Sequence, residues 1–289
     1  MTQPSGGPSA IDPPAGPFVD LQVHTTASDG ALPPTRVVET ARDVGLHAIA
    51  ITDHDTIDGL PEAMAAGELH GVRIVPGVEL STHFGDDELH LLGLHLSRRE
   101  TMASALSDLR DSRVERARLM VATLNRHGVP VTMDAVLSQA NEGSVGRPHI
   151  ARAMVNGGWV RDFREAFDRW LAWGKPAYQA RERFDVADAI ALVHRAGGLA
   201  IWAHPGDSAT PDRIRRLAAS GLDGVEVLHP SHPPMFAQKL FDVVESIGLL
   251  PSGGSDWHGT LDGTRRLGSM YVPKAWLDRQ DAKCAASRL

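Results

Sequence analysis

Apolar and polar positions along this chain follow two periods in turn. Short apolar runs, bounded by polar or glycine-containing segments, read as strands: FVDLQV, HAIAIT, VRIVPGVEL and ELHLLGLHL. Between the first two, Pro33 and Pro34 open a helix through Val37, Val38, Ala41 and Val44, and Gly45 stops it. A second helix is expected over residues 60–69. The rhythm changes after Ser97. From Thr101 to about Arg126, Leu106, Leu109, Val114, Ala117, Met120, Val121 and Leu124 share one side of an amphipathic helix. Shorter helical patterns follow at 134–139, 149–156 and 163–170. The strand and helix alternation then returns. A helix over 186–196 ends at Gly197-Gly198, and LAIWAH, GVEVLH and LLPSGGSD are strands separated by helices near 211–219 and 236–247.

Strands alternating with helices imply a parallel sheet, and about seven such units in one domain favour a barrel over an open sheet. The expected organisation is a leader over 1–17, a first barrel part over 18–99, a helical insert over 100–181 and a second barrel part over 182–289. The leader is rich in Pro, Gly and Ser and is expected to be disordered.

Composition narrows the function classes. An apolar fraction of 42% in 289 residues is ordinary for a globular protein with a sizeable core. A net charge of −7 argues against a broad basic surface for long duplex nucleic acid, while leaving room for a short nucleotide. The single cysteine, Cys284, rules out an intramolecular disulfide and a Cys-based zinc site, and it fits a cytoplasmic setting. No apolar run reaches the length of a membrane span, and no signal peptide is apparent.

The chemistry lies in five short clusters of histidine and carboxylate: DLQVHTTASDG, ITDHD, GVELSTHFGDDELH, AHPG and GGSDWHG. Most follow a strand, and in a parallel barrel the site lies at the C-terminal strand ends. His24 and Asp29 follow the first strand, Asp53, His54 and Asp55 the second, and Glu79 the third. His90 lies within or near the fourth. His204 ends LAIWAH, and Asp256 and His258 close the last unit. One histidine at a strand end is usually an ordinary hydrogen-bonding residue. Asp53-His54-Asp55 alone fits a turn, and Asp256 alone fits a helix cap. Five clusters in register with the alternation point instead to a site for several divalent metals, suited to phosphoester hydrolysis. His47, His70, His83, His95, His127, His194 and His229 fit surface or core positions better.

These ordered motifs resemble the polymerase and histidinol phosphatase (PHP) family of metal-dependent phosphoesterases, from about Val19 to Gly268. The resemblance implies a distorted (β/α)7 barrel with up to three metals. It assigns His24, Glu79 and Asp256 to one metal, and Glu79, His90 and His204 to a second. Asp29, His54 and His258 would hold the third. A hydroxide between metals would attack phosphorus in line. Asp53, His54, Glu79 and His258 are the implied catalytic residues, Asp53 as a neighbour that handles protons or orients a ligand. The family's first motif is usually His-x-His, whereas this chain reads Gln22-Val23-His24. Glutamine is a weaker ligand than imidazole for zinc-like ions. The first metal is then loosely held, exchangeable or absent, or Mn or Mg is preferred, or Gln22 only makes a hydrogen bond and two metals suffice. Two or three divalent ions among Mn, Fe, Zn and Mg are therefore expected.

The insert carries GRPHIARAMVNGG and GKPAY. These resemble a bacterial branch of the family acting on 3′,5′-nucleotide bisphosphates and, from the 5′ end, on short RNA. In that branch the insert caps the barrel mouth, which makes Arg147 and His149 candidate substrate contacts; Arg pairs with phosphate through its planar fork. His232, in HPSHPP, is a third candidate by topology. The expected partner is a small nucleotide or short RNA. The alternatives are a histidinol-phosphate-like small-molecule phosphatase and a catalytically weak metal-binding scaffold.

Overall fold

The computed structural model describes residues 16–140, 145–179, 183–259 and 265–287. Most of the expected leader therefore lies outside the described residues; Pro17 already accepts a backbone hydrogen bond from Lys274. The chain forms two compact units, one made of the segments up to Ala103 and from Phe184 on, the other Ser104–Arg183.

The first unit is a nearly closed barrel. Its strands are β1 (Phe18–Val23), β2 (Ala48–Ile51), β3 (Arg73–Phe84), β4 (Asp87–Leu94), β5 (Leu199–Trp202), β6 (Gly224–Leu228), β7 (Leu250–Gly253) and the short β8 (Val272–Pro273). They line up in the order β7-β6-β5-β4-β3-β2-β1-β8. Most neighbours are parallel, as the alternation predicts. The exception is β4, which runs antiparallel to both β3 and β5. The reason is the connection: Phe84 pairs with Asp87, so only Gly85 and Asp86 join the strands. Two residues suffice for a hairpin, whereas a parallel crossover needs a dozen or more. Gly85 takes φ 65, the left-handed conformation such a turn favours.

Helices α1 (Pro34–Asp43), α2 (Leu60–His70), α7 (Val186–Arg195), α8 (Pro211–Ala219), α9 (Pro234–Ile247) and α10 (Lys274–Ala286) complete this unit. In α1, Val37, Val38 and Ala41 form the buried stripe, packed with Val23, Ile49 and Ile51 of the strands and with Leu60 and Ala63 of α2. Odd positions of β1 thus face the helices, and even positions, Asp20 and Gln22, face across the barrel. The barrel wall closes where β1 meets the segment after β7. Asp256 N–H donates to Gln22 O and His24 N–H to Trp257 O, each at 3.0 Å. Asp20 reinforces the seam by accepting the backbone N–H groups of Ser255 at 2.9 Å and Gly268 at 2.8 Å.

The second unit holds most of α3 (Arg99–Arg126), with α4 (Met133–Ala140), α5 (Arg147–Asn156), the one-turn α6 (Phe163–Ala166) and a π-helical turn at Phe167–Leu171. Met120, Val121 and Leu124 of α3 pack with Val129, Val131, Val136, Ile150, Met154 and Leu171 in a core of its own. No helix among the described residues is long and apolar enough to cross a membrane.

Candidate metal centre

The strand ends gather the predicted ligands in one mouth. Glu79, fully buried on β3, is the hub. Its Oε1 lies 2.7 Å from His90 Nδ1 and 2.9 Å from His204 Nε2. Its Oε2 lies 2.9 Å from Gln22 Nε2, 3.2 Å from His24 Nε2 and 3.9 Å from His54 Nδ1. Asp256 Oδ1 is 3.1 Å from the same nitrogen of His24. Asp29 stands at the outer edge, 3.4 Å from His258 Nε2, 3.8 Å from His24 Nδ1 and 3.9 Å from His54 Nε2. His90 reaches the mouth from the start of its strand, because β4 runs backwards. Its neighbour is supplied by β5: Ala203 N–H donates to His90 O at 3.0 Å, which brings His204 alongside.

Local backbone geometry explains how the ligands are held. Asp55 (φ 52), His204 (φ 29) and Asp256 (φ 51) all occupy the left-handed region. Such conformations cost ~1–3 kcal/mol for a side-chain-bearing residue and persist only where surroundings enforce them. At Asp55 the enforcement is visible: its carboxylate accepts from Ser81 N–H and Oγ–H, and its own N–H donates to Glu79 O. That clamp fixes His54 between two anchored neighbours. Asp53 is the second anchor. It accepts from Thr25 N–H at 2.7 Å, Thr25 Oγ1–H at 2.8 Å and Ser28 Oγ–H at 2.6 Å. Asp53 therefore holds the loop that carries His24 and Asp29. The same loop needs Gly30, since a Cβ there would lie 2.7 Å from the carbonyl carbon and oxygen of His24.

The electrostatics are those of a compact anionic cluster wrapped in imidazoles. Burial works against charging Glu79, yet contacts with His204, His24 and His90 outweigh it and hold the carboxyl well below its ordinary range. Burial likewise opposes ionisation of Asp29, but His258, His54 and His24 bring it down to about 2. Asp256 is lowered by His229 and His24 against the same penalty. In return, burial would depress His24, but Asp256 and Glu79 push it up to about 10. Glu226, fully buried on β6, behaves oppositely. Burial first, then the charges of Asp256, Glu79 and Asp20, lift its carboxyl well above the carboxylate range, with only His204 N–H lowering it.

Does this donor set fit divalent ions? Three groups have ligand atoms all within 4.8 Å of one another: His24, Asp29, His54 and His258; His54, Glu79 and His90; His24, Glu79 and Asp256. Both nitrogens of His24 are buried without a hydrogen bond of good geometry, although carboxylate oxygens stand 3.1 and 3.2 Å from Nε2. Imidazole and carboxylate donors converging on shared points, with an orphaned buried nitrogen among them, suit borderline and hard divalent cations.

Other predicted residues are placed differently. His232 is engaged in the fold through both ring nitrogens. Its Nδ1 lies 2.9 Å from Val227 O, its Nε2 accepts Gly206 N–H at 3.1 Å, and the ring is 5% exposed. It latches the loop after β5 to the end of β6, a role that topology alone does not separate from a mouth-facing one. Arg147 and His149 lie in the second unit. The Arg147 guanidinium sits 5.8 and 5.7 Å from the ring centroids of Phe167 and Tyr178. His149 Nδ1 accepts Gly146 N–H as part of the α5 cap. Three further residues neighbour the site. His229, grouped with surface or core histidines, has its Nε2 3.5 Å from Asp256 Oδ2. Glu226 accepts His204 N–H at 2.7 Å. Arg265 Nη1 contacts Asp256 Oδ2 and O. The signal for His229 and Glu226 in the sequence is GVEVLH, which sets a Glu inside an apolar run and a His just past the strand end, where His24 and His204 also fall. Together with Ser231, His229 and Arg265 complete a cleft of about 340 Å³ over His54, Glu79, His90, His204, Asp256 and His258.

Comparison with known proteins agrees with this picture. The family model described as PHP domain matches residues 20–175. A 3′,5′-nucleoside bisphosphate phosphatase of Chromobacterium violaceum is 36% identical over 257 residues, covering 86% of this chain and 90% of that protein. A 5′-3′ exoribonuclease of Haemophilus influenzae is 36% identical over 245 residues, covering 83% of this chain and 89% of that protein. Among solved structures, a candidate metal-dependent phosphoesterase from Bifidobacterium adolescentis superposes with a TM-score of 0.72 at 33% identity, covering 94% of this chain and 98% of that one.

Proposed function

The chain belongs to the PHP domain family, and from that premise we propose that it hydrolyses nucleotide phosphoesters, taking 3′,5′-nucleotide bisphosphates or short 5′-phosphorylated oligoribonucleotides. The chemistry is metal-dependent phosphoester hydrolysis. The observation that carries the reading is Glu79: one buried carboxylate in contact with His24, His90, His204 and Gln22, and shared by two of the three ligand groups. The similarity to a bisphosphate phosphatase and an exoribonuclease over most of the chain supports the substrate class.

In this reading two or three divalent ions from Mn, Fe, Zn and Mg are held by His24, Glu79 and Asp256, by Glu79, His90 and His204, and by Asp29, His54 and His258. Such ions, when bound, neutralise phosphoryl charge and lower the pKa of water. Asp53 acts at one remove, by holding the loop of His24 and Asp29. His258 donates its Nδ1 proton to Asp256 O at 2.9 Å, which leaves Nε2, 3.4 Å from Asp29, as its ligand nitrogen. Arg147, which makes a long 3.5 Å hydrogen bond to Leu171 O, is the proposed phosphate contact, through its planar fork. His149, with Nδ1 engaged by Gly146 N–H, is the second proposed substrate contact. The activity is placed in the cytoplasm.

The test is direct. Purified protein with Mn²⁺ is given adenosine 3′,5′-bisphosphate or a 5′-phosphorylated RNA oligomer, and phosphate and mononucleotide are quantified. Turnover is expected, with loss on Glu79→Gln or His258→Ala. A metal-loaded protein that releases neither product would overturn the reading.

A further inference from the structure

The cleft contains one feature that metals and histidines do not account for. Arg265 is the sole Lys or Arg lining it among the described residues. It is held there by Asp256: Nη1 contacts Oδ2 and, at 3.3 Å, the main-chain oxygen of the same residue. Both contacts use one nitrogen. Nε and Nη2, the edge of the guanidinium that pairs with two oxygens at once, have no acceptor among the described residues. The side chain is 40% exposed.

Asp256 divides its oxygens between two tasks. Oδ1 faces His24 within the group it forms with Glu79, while Oδ2 faces Arg265 and His229. The guanidinium is therefore one carboxylate away from that group. A guanidinium offers a planar fork of donors matched to phosphate oxygens. In phosphoryl transfer, charge develops on the non-bridging oxygens, and a fixed guanidinium beside them stabilises the transition state.

We propose that Arg265 binds the phosphoryl group undergoing hydrolysis, with Asp256 as its anchor. This rests on the phosphoesterase reading and adds a specificity-determining residue to it. The ligand class is a phosphomonoester or phosphodiester dianion or monoanion, for which inorganic phosphate is the simplest probe.

The experiment compares metal-loaded wild type with Arg265→Ala and Arg265→Lys. Phosphate affinity is measured by calorimetry, metal content by elemental analysis, and kcat/KM on adenosine 3′,5′-bisphosphate. With Arg265→Ala, kcat/KM is expected to fall roughly 100-fold, as on removal of one preorganised charge-stabilising donor. Phosphate should bind several-fold more weakly, metal content should be unchanged, and lysine should restore part of both losses. Unchanged phosphate affinity in Arg265→Ala overturns the proposal. So does a loss of metal in parallel with activity that lysine does not repair, because Arg265 would then only support Asp256. A wild type that binds phosphate through Arg265 but turns over no phosphoester would sink the hydrolase reading and leave the phosphate site standing.

Discussion

Replacing Asp20 with Asn probes the barrel seam that sets Asp256 in place. Asp20 is 1% exposed and accepts the backbone N–H groups of Ser255 and Gly268 on separate oxygens, with Gln22 N–H more distant at 3.4 Å. Burial lifts its carboxyl from the ordinary 3.8 to about 6, even though these bonds pull the other way. That rise corresponds to ~3 kcal/mol between the two protonation states. The folded protein thus keeps, between those two values, a proton that the unfolded chain has released. Stability from this group is greatest at low pH and declines as pH rises, by up to ~1.4 kcal/mol per pH unit, until Asp20 is ionised in both states. Asparagine preserves the shape and one acceptor but turns its NH₂ toward the second backbone donor, and it does not titrate. Near pH 4 the variant should be less stable than wild type by ~1–3 kcal/mol, the cost of one unsatisfied buried donor. Toward about pH 7 the gap should close or reverse, as wild type loses its ~3 kcal/mol. Urea unfolding of metal-free protein at several pH values reads this difference directly. A stability difference that stays flat across the range would refute the argument.

Other outcomes follow from the same contacts. Gly254→Ala should lower the unfolding temperature sharply, because its Cβ would lie 2.5 Å from Gln22 N and 2.6 Å from Gln22 Cβ across the seam; a variant as stable as wild type would contradict that packing. Gln22→His should raise metal affinity or metal content, since Gln22 now only donates to Glu79 and its Oε1 is buried without a partner. Elemental analysis and chelator competition giving equal values for both proteins would refute it. Metal binding should release protons near neutral pH, because His24, raised to about 10 in the metal-free protein, must lose its proton to become a ligand. Affinity should therefore increase with pH below about 10, and calorimetry in buffers of different ionisation enthalpy would detect the released protons. Leu124→Ala, which empties part of the core of the second unit, should destabilise by ~2–5 kcal/mol as judged by denaturant unfolding.

The sequence by itself determined the alternation of strands and helices, the positions of Glu79, His24 and Asp256 relative to strand ends, and the family to which these motifs belong. Those features are local: side-chain period, proline and glycine punctuation, and residue type near a strand terminus. What only the tertiary structure decided depends on direction and partnership. β4 reads as one more strand in an alternating series, yet a two-residue turn reverses it, and that reversal is why His90 reaches the mouth from the beginning of its strand. His229 and His232 sit three residues apart in one motif and look alike in sequence. One ends beside Asp256, while the other has both nitrogens consumed by Val227 and Gly206. Arg265 follows the last cluster as an unremarked basic residue, and Glu226 reads as a polar interruption in a strand. Their meaning comes from what the closed barrel brings against them: Asp256 for the one, and for the other a water-excluded interior with three neighbouring carboxylates. Residue type and spacing state which groups can bind or titrate. Only the closed fold sets the dielectric around each group and the partners left to it, and those decide which groups do.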